Sequence, residues 1–276
     1  MKDLIKFSIG SFLVWLRPQK AENLIEQGLT IMGDDDFSRS ERLMRFVILK
    51  KAEKKENHDE MAEIQRRYWV NKGAAYFEAF SDQFKNVFLP HYSVLFDELA
   101  EKLEAETENF DTLVEIGTGN GKVLEYCATK FGKVQRFVGL DLSEEQIEIN
   151  KTKYAHNKKL EFYAEDGIEW ITQNCGTNTI FITVGGVLEY FPQEVLAKFL
   201  SHLNGLGPTY LATIETNGLD HNFDENPDSQ PYGEERSFSH NHKKMYPEAG
   251  FKLWHHSKYY PKSRHHYFTL LGAKNF

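Results

Sequence analysis

Short apolar segments alternate with amphipathic ones along the C-terminal two thirds of the chain. Runs of about five residues rich in β-branched and aromatic side chains predict strands buried on both faces. Helical periodicity separates them, as over residues 147–154 and 193–203, so the expected sheet is parallel and of the α/β class. Five strands of this pattern cover residues 113–116, 136–141, 160–164, 179–184 and 210–215, and two more cover 252–257 and 267–273.

Residues 1–105 show helical periodicity without a strand pattern. They predict a helical cap, or lid, in front of a core that spans residues 106–276. A short helix over residues 21–29 is expected to end by Gly33, and Ser38 or Ser40 can cap the longer helix that follows. An amphipathic helix over residues 92–103 leads into the first strand.

Three glycines follow the first strand at every second position, Gly117, Gly119 and Gly121, and Glu115 precedes them. A strand that turns through glycines into a helix presents backbone N–H groups to a ligand, with no Cβ atoms in the way. The dinucleotide fingerprint G-x-G-x-x-G would place its third glycine at position 122, where this chain has Lys122. The spacing therefore argues against a nicotinamide-dependent dehydrogenase.

Acidic residues stand at the ends of the next two strands. Asp141 closes the second strand, about twenty residues after the glycines, where a carboxylate accepts hydrogen bonds from a ribose diol in doubly wound folds. Ser143 and Gln146 then form a capping-box pattern into the helix over residues 147–154. The third strand runs into Asp166 and Gly167, a pair that fits either a ligand-binding acid or an ordinary turn.

The pattern E-x-G-x-G-x-G over residues 115–121, with Asp141 after it, resembles motif I of the class I S-adenosylmethionine-dependent methyltransferases. The resemblance extends over about residues 108–276 and implies a Rossmann-like, seven-stranded, mostly parallel sheet with an antiparallel last strand. It implies S-adenosylmethionine as cofactor, with Glu115 orienting the ammonium group, Asp141 on the ribose and Asp166 on the adenine amino group. Leu142 or Ile168 would then sandwich the adenine. The cofactor-binding residues expected on this basis are Glu115, Gly117, Thr118, Gly119, Gly121, Asp141, Leu142, Gln146, Asp166, Gly167, Ile168 and Val184.

The methyl acceptor is expected to bind between two further segments. Many small-molecule members of the family carry a Trp-then-Tyr segment upstream of the core, and residues 68–80 are similar to it. Residues 216–244 form a long polar segment that leaves the carboxyl edge of the sheet, where ligands of open α/β folds bind. Glu189 and His221 are the candidate catalytic groups, and Tyr68, Tyr76, Tyr190 and His240 are the candidate substrate contacts.

Each of these side chains also has an ordinary structural explanation. Glu189 can be an acid favoured at a helix N-terminus, rather than a base or an ammonium-binding group. The histidines can be surface residues, although imidazole suits a base near neutral pH. His240 and His242 have a metal-like spacing without a third nearby ligand, and the acids of the catechol-type enzymes are missing from the strand ends. We therefore predict no metal.

Composition and charge narrow the choice of partners. The net charge of −8 arises mostly beyond residue 90 and disfavours a nucleic-acid substrate. The two cysteines, Cys127 and Cys175, are too few for a disulfide framework or a zinc site. The apolar run over residues 7–16 is too short to span a bilayer and has no cleavage site after it. It predicts a helix packed on the protein or, alternatively, contact with a membrane surface through residues 1–20, in a cytoplasmic protein.

We therefore expect methyl transfer to an oxygen or nitrogen of a small-molecule metabolite, without a metal, by proximity and with or without a general base. Two alternatives remain open, a non-catalytic cofactor-binding subunit and a membrane-peripheral methyltransferase acting on lipid-like acceptors. Nothing in the sequence defines the oligomeric state.

Overall fold

The computed structural model describes residues 2–31, 37–55, 57–262 and 266–276, so the helix end expected at Gly33 lies outside the described residues. The helices are α1 (Lys2–Leu16), α2 (Pro18–Gln27), α3 (Arg39–Lys54), α4 (His58–Ala79), α5 (Ser93–Ala105), α6 (Lys122–Lys130), α7 (Glu144–Lys153), α8 (Gly167–Asn174), α9 (Gln193–Gly205) and α10 (His242–Glu248), with a π-helix over Phe84–Tyr92 and a 3-10 turn over Leu188–Tyr190. The strands are β1 (Thr112–Ile116), β2 (Arg136–Asp141), β3 (Leu160–Ala164), β4 (Thr179–Val184), β5 (Thr209–Gly218), β6 (Gln230–Tyr232), β7 (Ser237–Ser239), β8 (Lys252–Tyr259) and β9 (His266–Lys274).

Seven strands form one sheet in the order β3-β2-β1-β4-β5-β9-β8. The pairs among β1 to β5 are parallel, whereas β9 runs antiparallel to both β5 and β8. The predicted Rossmann-like sheet with an antiparallel last strand is therefore confirmed. The strand order reverses between β1 and β4, which leaves a crevice at the carboxyl ends of these strands.

Both faces of the sheet are buried, because successive side chains of each strand point to opposite sides. Leu113 belongs to an apolar cluster with α5, α6 and α7, and its neighbour Val114 belongs to a second cluster with α8, α9 and α10. This three-layer arrangement explains why the strands read as nearly continuous apolar runs.

The N-terminal helices form a separate small core in which Leu24, Met44 and Ile64 are buried. Helix α3 begins with the predicted serine cap, since Ser38 and Glu41 form a complete capping box. The predicted helix over residues 21–29 starts earlier, at Pro18, because proline suits the first helical turn. The division into a cap over residues 1–105 and a core over residues 106–276 stays a prediction.

Helix α1 packs on α3 along one face only. Gly10 approaches α3 so closely that an added Cβ would stand 2.3 Å from the carbonyl oxygen of Leu43. The opposite face is apolar and exposed, with Leu4 73% and Trp15 74% accessible, and it also includes Ile5, Ile9, Phe12 and Leu16. The prediction of a helix packed on the protein therefore holds for one face of α1 only. No helix among the described residues is long and apolar enough to cross a bilayer.

The segment over residues 216–244 is more ordered than its polar composition predicts. Strand β5 continues to Gly218, the β6–β7 hairpin follows, and α10 begins at His242. The hairpin is short and interrupted by Pro231 and Gly233, so its alternation is too brief to be recognised as a strand pattern. Its one large apolar anchor, Phe238, is almost completely buried.

Candidate functional site

A cavity of about 1100 Å³ lies at the crevice where the strand order reverses. One part is lined by the turn after β1, the end of β2 and the start of α8, and we call it the glycine-loop side. The other part is lined by α4, the 3-10 turn, the end of β5 and the β6–β7 hairpin, and we call it the hairpin side. Such a crevice is where open α/β sheets bind their ligands.

The glycine turn after β1 has the conformation that its sequence predicts. Gly117, Gly119 and Gly121 all have positive φ, at 71°, 50° and 71°, which side chains other than glycine rarely adopt. The turn is tied to β2, because the backbone N–H of Thr118 donates to the carbonyl oxygen of Leu140 at 2.9 Å. Helix α6 starts directly after Gly121, so its N-terminus points toward the turn.

Glu115 lies beneath this turn and is 2% exposed. Its carboxyl group accepts a hydrogen bond from the hydroxyl of Thr118 at 2.7 Å. Burial raises the pKa of Glu115 to about 8, and the neighbouring Asp141 raises it further, against the lowering effect of the hydrogen bond from Thr118. Glu115 is not among the residues that line the cavity. Here it supports the turn from below.

Asp141 ends β2, lines the cavity and is 7% exposed. One carboxylate oxygen accepts from the backbone N–H of Gly119 at 2.9 Å, and the other accepts from that of Ser143 at 3.0 Å. Burial raises the pKa of Asp141, and these backbone hydrogen bonds oppose the rise. Because each carboxylate oxygen can accept two hydrogen bonds, both keep capacity for a ligand hydroxyl.

Asp166 caps α8 by accepting from the backbone N–H groups of Ile168 and Glu169 at 3.0 and 3.3 Å. Both hydrogen bonds use the same oxygen, Oδ1. The capping role and a ligand-binding role are therefore compatible, since Asp166 also lines the cavity. Leu142 and Ile168 line the same part of the wall, as a slot for a planar ring requires.

A buried carboxyl group organises the hairpin side. Glu215 on β5 accepts from the backbone N–H groups of Val187 and Leu188, both at 2.9 Å, and from the hydroxyl of Thr183. These hydrogen bonds fix the 3-10 turn to the end of the sheet. Burial raises the pKa of Glu215 to about 8, and the nearby Glu189 raises it further.

Glu189 on this 3-10 turn is 7% exposed and lines the cavity. Its carboxylate accepts from the hydroxyl of Tyr232 on the hairpin. Gly186 makes room for it, because a Cβ at that glycine would stand 2.4 Å from Glu189 Oε1. Burial raises the pKa of Glu189. Glu235 of the hairpin also lines the cavity, and burial together with Glu189 raises its pKa to about 7.

Aromatic rings of α4 cover the crevice from above. Trp69 meets Tyr190 edge-to-face at 5.6 Å and Tyr76 at 5.0 Å between ring centroids. Phe77 lies against the glycine turn, where a Cβ on Gly119 would stand 2.4 Å from its ring. The indole N–H of Trp69 is buried and donates to no acceptor within the described residues. Helix α4 therefore bridges both sides of the cavity.

The loop histidines are buried rather than at the surface. His221 lines the cavity, and its Nε2 lies 2.9 Å from the carbonyl oxygen of Asn226. Nε2 must donate there, so in the neutral tautomer Nδ1 carries the lone pair, and it contacts no donor within the described residues. His240 is fully buried between Ser229 and the carbonyl oxygen of Leu188, and burial lowers its pKa to about 4. The described residues hold no group of three or more potential metal ligands.

The cavity wall brings together most, not all, of the residues expected from the sequence. The expected residues that line it are Gly117, Asp141, Leu142, Asp166, Gly167, Ile168, Val184, Glu189, Tyr190, Tyr76 and His221. Those that do not are Glu115, Thr118, Gly119, Gly121, Gln146, Tyr68 and His240.

Each of the residues behind the wall has a structural contact that explains its position. Gln146 donates to Asn150, which in turn donates to the carbonyl oxygen of Gly119, so this pair braces the turn from α7. The backbone of Tyr68 packs against Gly28, and its ring meets Trp69 edge-to-face.

Sequence reasoning missed several residues of the site. Trp69 and Phe77 fall inside the expected aromatic segment but were not singled out. Nothing in the sequence points to Tyr232 and Glu235, because the strands of the hairpin that carries them are too short to show an alternation of apolar and polar residues. Glu215 ends the apolar run predicted over residues 210–215, as Asp141 ends the one over residues 136–141, and this similarity could have identified it.

Comparisons with known proteins agree with this geometry. Residues 113–206 match the family model described as a methyltransferase domain. Magnesium protoporphyrin IX methyltransferase from Synechocystis PCC 6803, solved with bound S-adenosylmethionine, is 19% identical with a TM-score of 0.51, over 78% of this chain and 97% of that one. The N-methyltransferase NodS from Bradyrhizobium japonicum WM9, solved with S-adenosylhomocysteine, is 12% identical with a TM-score of 0.50, over 75% of this chain and 98% of that one. The search of curated proteins found no significant match.

The strand order, the glycine turn and the cavity define a Rossmann-like methyltransferase fold. The match over residues 113–206 shows a methyltransferase domain in this part of the chain, and the fold is that of S-adenosylmethionine-dependent methyltransferases. The enzyme class predicted from the sequence agrees with this domain, and the predicted cofactor, S-adenosylmethionine, is the one bound in the Synechocystis structure.

Proposed function

We propose that this enzyme transfers the methyl group of S-adenosylmethionine to an oxygen or nitrogen of a small-molecule metabolite. The single observation that carries the proposal is the cavity, which joins the glycine-loop side to a second, aromatic compartment under α4. Its volume of about 1100 Å³ has room for a nucleoside cofactor together with a metabolite-sized acceptor. A cover formed by α4 also suits a small acceptor better than a polymer.

The residues of the glycine-loop side fit the cofactor. Asp141 has free acceptor capacity for the ribose hydroxyls, and Asp166 stands beside Leu142 and Ile168 for the adenine. Gly117 lines the wall with its bare backbone, where the amino-acid portion of the cofactor would approach. Glu115 would act on the cofactor's ammonium group only through the turn above it or through water.

The chemistry needs little beyond positioning. The sulfonium of the cofactor is already an activated donor, so the protein must hold nucleophile, methyl carbon and sulfur in line and exclude water. Trp69, Tyr76 and Phe77 shield the crevice for this purpose. Glu189 and His221 line the cavity, and we propose them as the groups that take a proton from the acceptor.

A labelling experiment tests the proposal. The protein is incubated with S-adenosylmethionine carrying a tritiated methyl group and a cell extract separated into small-molecule, protein and nucleic-acid fractions. We expect label in the small-molecule fraction, and much less of it with the Asp141→Asn variant at the same low cofactor concentration. Label confined to the protein or nucleic-acid fraction would refute the acceptor class. Binding of S-adenosylhomocysteine without any transfer would favour the non-catalytic cofactor-binding subunit.

The exposed face of α1 favours a second candidate, a membrane-peripheral methyltransferase that acts on lipid-like acceptors. Six large apolar side chains are exposed on this face within the described residues. Exposed lysines lie beside it: Lys6 on α1 itself, and Lys54 at the end of α3, whose ammonium group is 4.8 Å from the ring centroid of Phe7. An apolar helix face with a basic border is typical of contact with anionic lipid headgroups.

Vesicle flotation tests this candidate. We expect the full chain to float with vesicles containing phosphatidylglycerol, and less with pure phosphatidylcholine. The double variant Phe12→Ser, Trp15→Ser should not float, whereas Ile149→Ser, which removes an exposed apolar side chain elsewhere, should float as the parent does. Equal behaviour of both variants would remove the candidate. A cytoplasmic location stays a prediction under either function.

A further inference from the structure

The hairpin side of the cavity is acidic. Carboxylate residues line it from α4, the 3-10 turn, the end of β5 and the hairpin: Asp59, Glu63, Glu189, Asp220, Glu234 and Glu235. The arginines on the same wall are Arg66 and Arg236, and Arg236 is drawn toward Glu53, 3.5 Å from its guanidinium. An acidic compartment attracts cations and repels anions.

Glu189 is the centre of this compartment. Its carboxylate is almost completely buried and accepts from the Tyr232 hydroxyl, yet no lysine or arginine among the described residues forms an ion pair with it. A buried carboxylate without a cation is costly, and a cation beside it offsets that cost. Glu235, which is partly buried, also forms no ion pair among the described residues, and the positive charge of Arg45 offsets only part of the rise in its pKa that burial causes.

The surrounding rings supply a second kind of cation contact. Trp69, Tyr76, Tyr190 and Tyr232 all line the cavity on this side. The faces of such rings attract ammonium groups, and the attraction is strongest when water is excluded. The lone pair on Nδ1 of His221 adds a hydrogen-bond acceptor to the same compartment. Carboxylate, imidazole lone pair and ring faces together fit a ligand that donates hydrogen bonds and carries positive charge.

We propose that the methyl acceptor is a small amine that enters as an ammonium ion and binds against Glu189 and Tyr232. This assignment rests on the proposed function and narrows it from oxygen or nitrogen to nitrogen. A carboxylate acceptor would meet Glu189 and Glu235 as like charges, and a phenol or alcohol would leave the acidic wall uncompensated.

The reaction balances with the groups present. The ammonium ion loses one proton to the Glu189 carboxylate, which frees the nitrogen lone pair. That lone pair forms the new N–C bond to the methyl carbon while the C–S bond breaks and its electron pair stays on sulfur. The products are S-adenosylhomocysteine and a methylated ammonium ion. The raised pKa of Glu189 suits it to accept the first proton, because burial makes its carboxylate a stronger base.

Matched ligands of different charge test the proposal. The panel consists of triplets in which an amine, an alcohol and a carboxylate share the same carbon skeleton, such as 2-phenylethylamine, 2-phenylethanol and 3-phenylpropanoate. Further triplets carry an indole ring or a straight alkyl chain in place of the phenyl group. Each compound is titrated by calorimetry into protein saturated with S-adenosylhomocysteine. In at least one triplet the amine should bind at least tenfold more tightly than the alcohol, and the acid should not bind. If no amine in the panel exceeds its neutral partner, the proposal is wrong.

Two variants assign the preference to the carboxylate. Glu189→Gln keeps the size of the side chain, and we expect it to lose at least tenfold in amine affinity while the affinity for S-adenosylhomocysteine stays unchanged. Glu148→Gln, on an exposed face of α7, serves as the control and should keep both. An amine preference that survives in Glu189→Gln would overturn the role of Glu189. Failure to bind S-adenosylhomocysteine at all would instead sink the proposed function.

Discussion

The carboxylate of Asp141 both holds the glycine turn and lines the proposed cofactor site. We therefore expect the substitution Asp141→Asn to lower both the stability of the chain and its affinity for the cofactor. In the folded chain its two oxygens each accept one backbone N–H, from Gly119 and from Ser143. Asparagine keeps one oxygen but replaces the other with a donor, so one of these N–H groups must face an NH₂ group. Either the glycine turn or the start of α7 therefore loses a hydrogen bond and gains a repulsive contact.

The magnitudes follow from hydrogen-bond energetics. A buried donor left without an acceptor costs about 1–3 kcal/mol of unfolding free energy. On the ligand side, a hydrogen bond from a ribose hydroxyl to a charged acceptor contributes about 1.5–3 kcal/mol. Since about 1.4 kcal/mol corresponds to a factor of ten in affinity, the variant should bind S-adenosylhomocysteine roughly 10- to 100-fold more weakly.

Calorimetric titration with S-adenosylhomocysteine measures the affinity, and urea unfolding measures the stability. The control is Asp111→Asn, because Asp111 is exposed and lies at the opposite end of the sheet from the cavity. It should change neither quantity by more than about 0.5 kcal/mol. A folded Asp141→Asn variant with the parent's affinity would show that the carboxylate does not hold the ribose, and the proposed use of the crevice would be refuted.

Two further predictions concern the glycine turn. Gly119→Ala places a Cβ against the ring of Phe77 at positive φ, and should lower the unfolding free energy by about 2–4 kcal/mol. In a double-mutant cycle measured by urea unfolding, the loss of unfolding free energy caused by Gly119→Ala should be at least about 1 kcal/mol smaller in the Phe77→Ala background. Additive losses would contradict the contact. Glu115 has a pKa of about 8 when folded, well above its unfolded value, so the folded chain retains a proton and stability should fall as pH rises from about 5 to 8. Glu115→Gln should reduce that fall by up to about 1 kcal/mol per pH unit in urea titrations, and a slope unchanged from that of Glu148→Gln would contradict it.

The fold of the core was largely readable from the sequence, because each parallel strand is buried on both faces and appears as an apolar run. The final pair was visible for the same reason, since β9 is buried along almost its whole length. The hairpin was not visible, because its strands are three residues long and hold only one large buried side chain, Phe238. Local pattern cannot identify an element whose position is fixed by tertiary contacts.

The cofactor side of the site was similarly predictable, and the acceptor side was not. The three glycines predict the turn directly, because its positive φ angles require glycine, whereas the roles of Glu115 and Gln146 depend on which way each side chain points. Glu115 alternates inward on β1 and so reaches the underside of the turn instead of the cavity. Glu189, Tyr232 and Glu235 meet only through long-range packing, and no spacing in the sequence brings them together.

Strand β9 follows all the other strands in the chain, yet it lies inside the sheet, between β5 and β8. During synthesis β5 therefore emerges long before its antiparallel neighbour, and one edge of a ten-residue strand that is buried along its whole length in the fold has to wait unpaired. Exposed edges of this kind are sites of intermolecular association. A ribosome-bound intermediate of this protein should accordingly depend on chaperones until Lys274 has left the exit tunnel.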